Sequence, residues 1–137
     1  MTNHEMARSH LRQARLILAE AEHHQHGGAF NLVVRRGQES VELALKAVLR
    51  SAGVEVPHVH DVGFLLAELA DRLPASFAAH VERVVSISRR LRQEREVSFY
   101  GDEEIDAPPD RLYSGDDAEQ ALGDARFVVD LAGTVVR

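Results

Sequence analysis

The sequence predicts an all-α fold, an up-and-down bundle of four long helices plus one short helix. Three observations carry this. Apolar residues recur at spacings of three and four along the chain, the mark of amphipathic helices. No segment alternates convincingly with period two. Short links join the long amphipathic segments, which makes sequence neighbours antiparallel. With 137 residues, 45% of them hydrophobic, the chain can bury a core of its own. No repeat or linker divides residues 1–137, so one domain is expected.

The first helix is expected from about Asn3 to about His24. Thr2 and Glu5 have capping-box spacing, and Met6, Ala7, Leu11, Ala14, Leu18 and Ala21 form one stripe before Gly27-Gly28. The second runs from about Ala29 to Ala52 along Phe30, Val33, Val34, Gly37, Val41, Leu45 and Val48, with Gly53 placed as a C-terminal cap. Glu42 and Lys46 are spaced as a stabilising i, i+4 pair. After a loop around Pro57, Asp61 can cap the short third helix, which carries Val62, Leu65, Leu66, Leu69 and Leu73. The fourth is expected as one helix from about Ala75 to about Phe99, with Phe77, Val81, Val84, Ser88, Leu91, Arg95 and Ser98 along its seam. An acidic loop from Asp102 to Tyr113 leads to a fifth helix, capped by Ser114 or Asp116.

Composition excludes several classes of function. The chain has no cysteine, hence no disulfide framework, thiolate metal site or cysteine nucleophile. That suits a reducing cytoplasm, the expected location. Residues Met1 to His10 are polar, unlike a signal peptide. No run approaches the roughly 20 apolar residues of a membrane span, and no membrane partner is expected. The net charge of −6 argues against bulk non-specific nucleic-acid binding. Residues 101–137 hold ten acids and three arginines, however, so the rest of the chain is nearly balanced and can carry a basic patch.

Histidines are the obvious metal candidates. His23, His24 and His26 cluster, and Glu20 with His23 has the Glu-x-x-His spacing of di-iron bundles, which need that motif twice. Here it occurs once. His58, His60 and Asp61 form a weak loop set that capping by Asp61 explains. Neither metal nor cofactor is expected. Nucleophile-elbow, glycine-rich phosphate-loop and Walker motifs are missing.

The informative stretch holds Arg83, Arg89, Arg90, Arg92 and Arg95. Four of these can form a solvated face balanced by Glu82, Glu94 and Glu96. Arg95 falls on the apolar seam, where a guanidinium must be paired or must line a cleft. In a cleft it is suited to gripping phosphate. The alternative is an internal ion pair with Glu42 or Glu94, or a contact with a helix C-terminus.

Here the sequence resembles the HEPN (higher eukaryotes and prokaryotes nucleotide-binding) domain family. Residues Gln38 to Leu49, in the run QESVELALKAVL, resemble its second helix, and His60-Asp61-Val62 the start of its third. Arg95-Glu96-Val97-Ser98-Phe99-Tyr100-Gly101-Asp102 falls where the family keeps its functional motif, and Tyr113 with Asp117 to Arg126 resembles its last helix. The resemblance implies a helical bundle that often dimerises. Many members are metal-independent endoribonucleases or toxins, some paired with a minimal nucleotidyltransferase, and others bind nucleotide or protein. Nuclease members place a His after the motif Arg, four to six residues intervening, and two copies meet across the dimer cleft.

The chain departs from that pattern: Tyr100 stands where the His is expected, and no His follows His80. RNA cleavage through the 2′-hydroxyl needs a group titrating near neutrality. Histidine does so, whereas a phenol titrates near 10. A phenol can still hydrogen-bond phosphate or stack on a base. The resemblance therefore implies an RNA or nucleotide site of Arg92, Arg95, Glu96, Ser98, Tyr100 and Asp102. Arg95 and Tyr100 are its candidate catalytic pair. A homodimer is expected, with the fourth helix at or near the interface.

Overall fold

Both ends of the bundle are set by capping boxes. Thr2 Oγ1 accepts from the Glu5 amide at 3.1 Å, and the Glu5 carboxylate accepts from the Thr2 amide at 2.8 Å. Those two bonds satisfy amides that a helix start leaves unpaired. Helix α1 (Asn3–Gly27) follows and ends on Gly28, whose φ of 76° is left-handed. Ser114 rather than Asp116 caps the last helix, exchanging the same pair of bonds with Asp117. The computed structural model of the chain describes residues 2–56 and 62–137. The expected roles of His58, His60 and Asp61 lie outside the described residues.

After α1 come α2 (Phe30–Ser51), α3 (Val62–Glu68), α4 (Ala75–Ala78), α5 (Val81–Gln93), α6 (Val97–Tyr100) and α7 (Gly115–Val135). Among the described residues there is no strand, only an isolated bridge between Asp102 and Ala107. None of the helices is long and apolar enough to cross a membrane.

Helix α2 is the axis of the bundle. It packs on α1 and α7 most extensively and also touches α3, α5 and α6. Its central residues are buried on several sides, Val33, Gly37, Val41, Ala44, Leu45 and Val48 among them. At Gly37 the α7 backbone comes close, and an added Cβ would already rest against the Ala121 carbonyl and Ala125. Alanines line the α1 and α7 stripes, which lets the three long helices approach closely.

The fourth predicted helix is not continuous. It divides into α4, α5 and α6, with turns at Ala79–His80 and at Glu94–Glu96. At the second turn the Arg95 amide bonds the Arg92 carbonyl at 3.2 Å, a tightened i−3 turn. Two carbonyls, one freed by the break and one by the end of α6, find partners on α2. Arg35 Nη1 donates to the Arg95 carbonyl at 2.6 Å, and Asn31 Nδ2 donates to the Ser98 carbonyl at 3.1 Å. Buried carbonyls need such partners, so α2 makes the break tolerable.

Gly101 then turns the chain. Its φ of 81° and ψ of −174° belong to a region open essentially to glycine. A Cβ there would collide with the Ala107 carbonyl oxygen.

Candidate functional site

The break between α5 and α6 places Arg95 beside the middle of α2. Its Nη1 donates to Gln38 Oε1 at 2.6 Å. The same nitrogen stands 3.7 Å from Glu42 Oε2, and its Nε stands 3.9 Å from Glu96 Oε1. Both carboxylates lie beyond hydrogen-bond distance. The strongest tie on this guanidinium is thus a neutral amide oxygen. A guanidinium has five N–H donors, and this hydrogen bond uses one. The Arg95 side chain is 23% exposed, so it is sheltered yet open to a ligand.

The internal-pair alternative is partly realised, because Glu42 does stand near Arg95. But Glu42 is shared. Its other oxygen is 3.5 Å from Lys46 Nζ, the i, i+4 pair expected from the spacing. Glu42 is thus divided between two cations, and the more exposed Glu96 is the other carboxylate near Arg95.

Arg35 completes the first ring of groups. Besides holding the Arg95 carbonyl, its guanidinium lies 4.9 Å from the centroid of the Phe99 ring and 3.9 Å from Glu39. Phe99 and Tyr100 meet edge to face at 5.0 Å. Both rings are largely exposed, Tyr100 at 60% and Phe99 at 43%, and Ile105 in the following loop is exposed too. Large apolar side chains exposed side by side mark a surface that meets something.

The structure brings some of the predicted site residues together and separates others. Arg95 and Ser98 belong to one hydrogen-bond set, the Ser98 hydroxyl donating to the Arg95 carbonyl at 3.1 Å. Glu96 is on the exposed rim of that set. Tyr100 is on the same short helix as Ser98, but its described ring contact is with Phe99. Arg92 is half-buried, and its Nη1 has no hydrogen-bond partner among the described residues. Asp102 lines a different cleft, and its carboxylate accepts from the Glu104 amide at 3.1 Å, a turn-forming bond.

That second cleft has a volume of about 440 Å³ and lies between the end of α5 and α7. Tyr113 donates there to Glu94 at 2.6 Å, while Arg90 pairs with Asp124 at 3.3 Å. Burial first, and then the Glu94 carboxylate, push the Tyr113 hydroxyl well above its ordinary value. It stays protonated and holds the loop to α5. The arginines of α5 are therefore not balanced as the sequence suggested. Arg90 uses Asp124, and Arg83 stacks 3.7 Å over the Phe127 ring.

Sequence reasoning overlooked Arg35, Gln38 and Asn31 as site residues. The signal was available: positions 35, 38 and 42 follow i, i+3, i+7 along one face of α2. The Glu-x-x-His pair has other occupations. Glu20 pairs with Arg36 at 3.4 Å, and the His23 ring faces His24 at 5.9 Å.

The family profile described as the HEPN domain matches residues 7–135. No curated protein sequence matches the chain. Among solved structures, the crystal structure of an archaeal HEPN homologue is similar, with a TM-score of 0.73 and 22% identity. The similarity covers 96% of this chain and 98% of that one, and at this identity it speaks for the fold.

Proposed function

The chain belongs to the HEPN domain family, and we propose that it is an RNA- or nucleotide-binding member whose anion grip is Arg95. One observation carries this reading. A largely sheltered guanidinium makes its one described side-chain hydrogen bond to the neutral Gln38 oxygen, while its nearest carboxylates, Glu42 at 3.7 Å and Glu96 at 3.9 Å, lie beyond hydrogen-bond distance. A guanidinium with donors free of hydrogen bonds is well matched to a phosphate, which it can meet with two parallel bonds. The exposed rings of Phe99 and Tyr100 next to it supply faces on which unstacked bases can rest. Arg92 and Glu96 serve the site as flanking polar groups, whereas Ser98, expected as a ligand group, is fully buried and braces the Arg95 carbonyl instead. Asp102 contributes least, because its carboxylate is committed to the turn.

Binding without turnover is the favoured form. No described histidine lies in the Arg95 hydrogen-bond set, and a phenol is a poor general base at neutral pH. Weak endoribonuclease activity through Arg95 and Tyr100 is the second form of the same site. A purely structural or partner-binding role is favoured by one specific observation, the 3.7 Å approach of Glu42 to Arg95.

The working unit is a homodimer, supported by the exposed Phe99 and Tyr100 ring pair and by exposed Ile105 in the loop that follows. A minimal nucleotidyltransferase is the protein partner that the family resemblance suggests, with this chain as the toxin-type component. The cysteine-free composition suits a reducing cytoplasm as its location.

The test combines binding and cleavage. Fluorescence anisotropy with a short oligoribonucleotide should show binding that weakens with salt, by about 0.7 in the logarithmic slope per phosphate neutralised. Tyr100→Phe should keep that affinity, since the stacking ring remains. If Tyr100→His gains ribonuclease activity, the cleft is a nuclease site lacking its titrating group. If no variant binds or cleaves RNA or nucleotide, the structural reading stands instead.

A further inference from the structure

Beyond Arg95, a second group of basic side chains converges where α1 crosses the C-terminal half of α2. Arg50 bonds Asn3 at the start of α1, and His10 lies two turns further along the same side of α1, next to the stretch of α2 where Lys46 and Arg50 are one turn apart. Arg50 makes one described side-chain hydrogen bond, Nη1 donating to the neutral Asn3 Oδ1 at 3.3 Å. Lys46 shares Glu42 with Arg95. His10 Nδ1 and Arg50 Nε are both buried with no hydrogen-bond partner among the described residues.

Buried nitrogens are ordinarily satisfied, and unpaired ones are costly. Here two of them sit within one patch of positive charge. Burial first, and then the charges of Arg50 and Lys46, lower the proton affinity of His10. An oxyanion would offset that field and accept hydrogen bonds from all three side chains.

We infer that His10, Lys46 and Arg50 bind a phosphate group, namely the phosphodiester of an RNA strand that continues from the Arg95 cleft. The inference rests on the RNA reading of Arg95 and narrows it from nucleotide to strand. Glu42 ties the two sites together, lying within 4 Å of both Arg95 and Lys46. From Glu42 to Arg50 the helix advances about 12 Å, at about 1.5 Å per residue. At about 3.4 Å per stacked nucleotide that span needs a strand of roughly three or more nucleotides. A mononucleotide held at Arg95 does not reach it.

The experiment uses the full chain, a six-nucleotide oligoribonucleotide, a nucleoside monophosphate and inorganic phosphate. Binding is read by anisotropy or calorimetry, and the His10 imidazole is followed by NMR. The hexamer should move the His10 resonances. Arg50→Gln and Lys46→Gln should each weaken hexamer binding about tenfold and lower the salt slope by about 0.7, one phosphate contact. Monophosphate affinity should not change in Arg50→Gln, whose side chain does not touch the Arg95 set. Arg50→Gln keeps most of the side chain's stem, and a thermal melt establishes that each variant is folded. Unchanged hexamer affinity in both variants would overturn the inference. So would a His10 signal that responds to inorganic phosphate and not to the hexamer. Failure of the Arg95 reading looks different: Arg95→Ala would then leave hexamer affinity intact while Arg50→Gln still weakens it.

Discussion

Arg35 clamps the helix break that carries Arg95: its Nη1 donates to the Arg95 carbonyl at 2.6 Å, across sixty residues of sequence. The same guanidinium lies against the Phe99 ring, so one side chain of α2 fixes both ends of the functional turn. Arg35 is only 14% exposed. A hydrogen bond to a charged donor at such a site contributes about 1.5–3 kcal/mol. Arg35→Ala should destabilise the fold by about that amount in urea denaturation and should raise amide exchange through α6. Stability within error of the native chain would show that the clamp contributes nothing.

Gly101 is the second fixed point of the site. Its positive φ and the Ala107 carbonyl against its α-carbon exclude any side chain. Gly101→Ala should therefore cost about 1–3 kcal/mol from backbone strain, plus the displacement of Ala107. A denaturation midpoint equal to that of the native protein would contradict the turn described.

Much of this fold is legible in the sequence because its signals are local. Thr2 with Glu5, Gly28 and Ser114 with Asp117 lie within a turn of the ends they define. The break at Glu94–Glu96 is not legible for the opposite reason. Glu and Arg are good helix formers, and nothing nearby interrupts them. The groups that stabilise the break, Asn31 and Arg35, come from a helix far away in sequence. Arg95 itself is legible as a charge on an apolar seam. Its hydrogen-bond partner Gln38 is not, because a glutamine on a helix has no distinctive sequence mark. Asp102 reads as a motif residue by position, yet the fold uses it to close a turn.

His10 gives a pH signature. Burial, followed by the charges of Arg50 and Lys46, holds its pKa below the ordinary 6.5. Between that lowered value and 6.5 the unfolded chain binds more protons than the folded one. Stability is thus fully present above 6.5 and is lost as the pH falls through the folded value. NMR titration of the ligand-free protein should place the His10 midpoint below 6.5. His10→Gln should flatten the loss of stability on acidification. A midpoint at or above 6.5 would show that the patch is not electropositive.

The cleft hypothesis stands or falls on Arg95, whose partner is either a phosphate or an internal group. The decisive measurement is the affinity of Arg95→Ala for a short oligoribonucleotide, taken with its melting temperature on the same sample. One charged contact of this kind contributes roughly 1.5–3 kcal/mol, which is about tenfold to over a hundredfold in affinity. We expect a loss in that range with the protein still folded and its oligomeric state unchanged. A fall in melting temperature with unchanged RNA affinity would contradict the account and assign Arg95 to the internal set of Gln38 and Glu42.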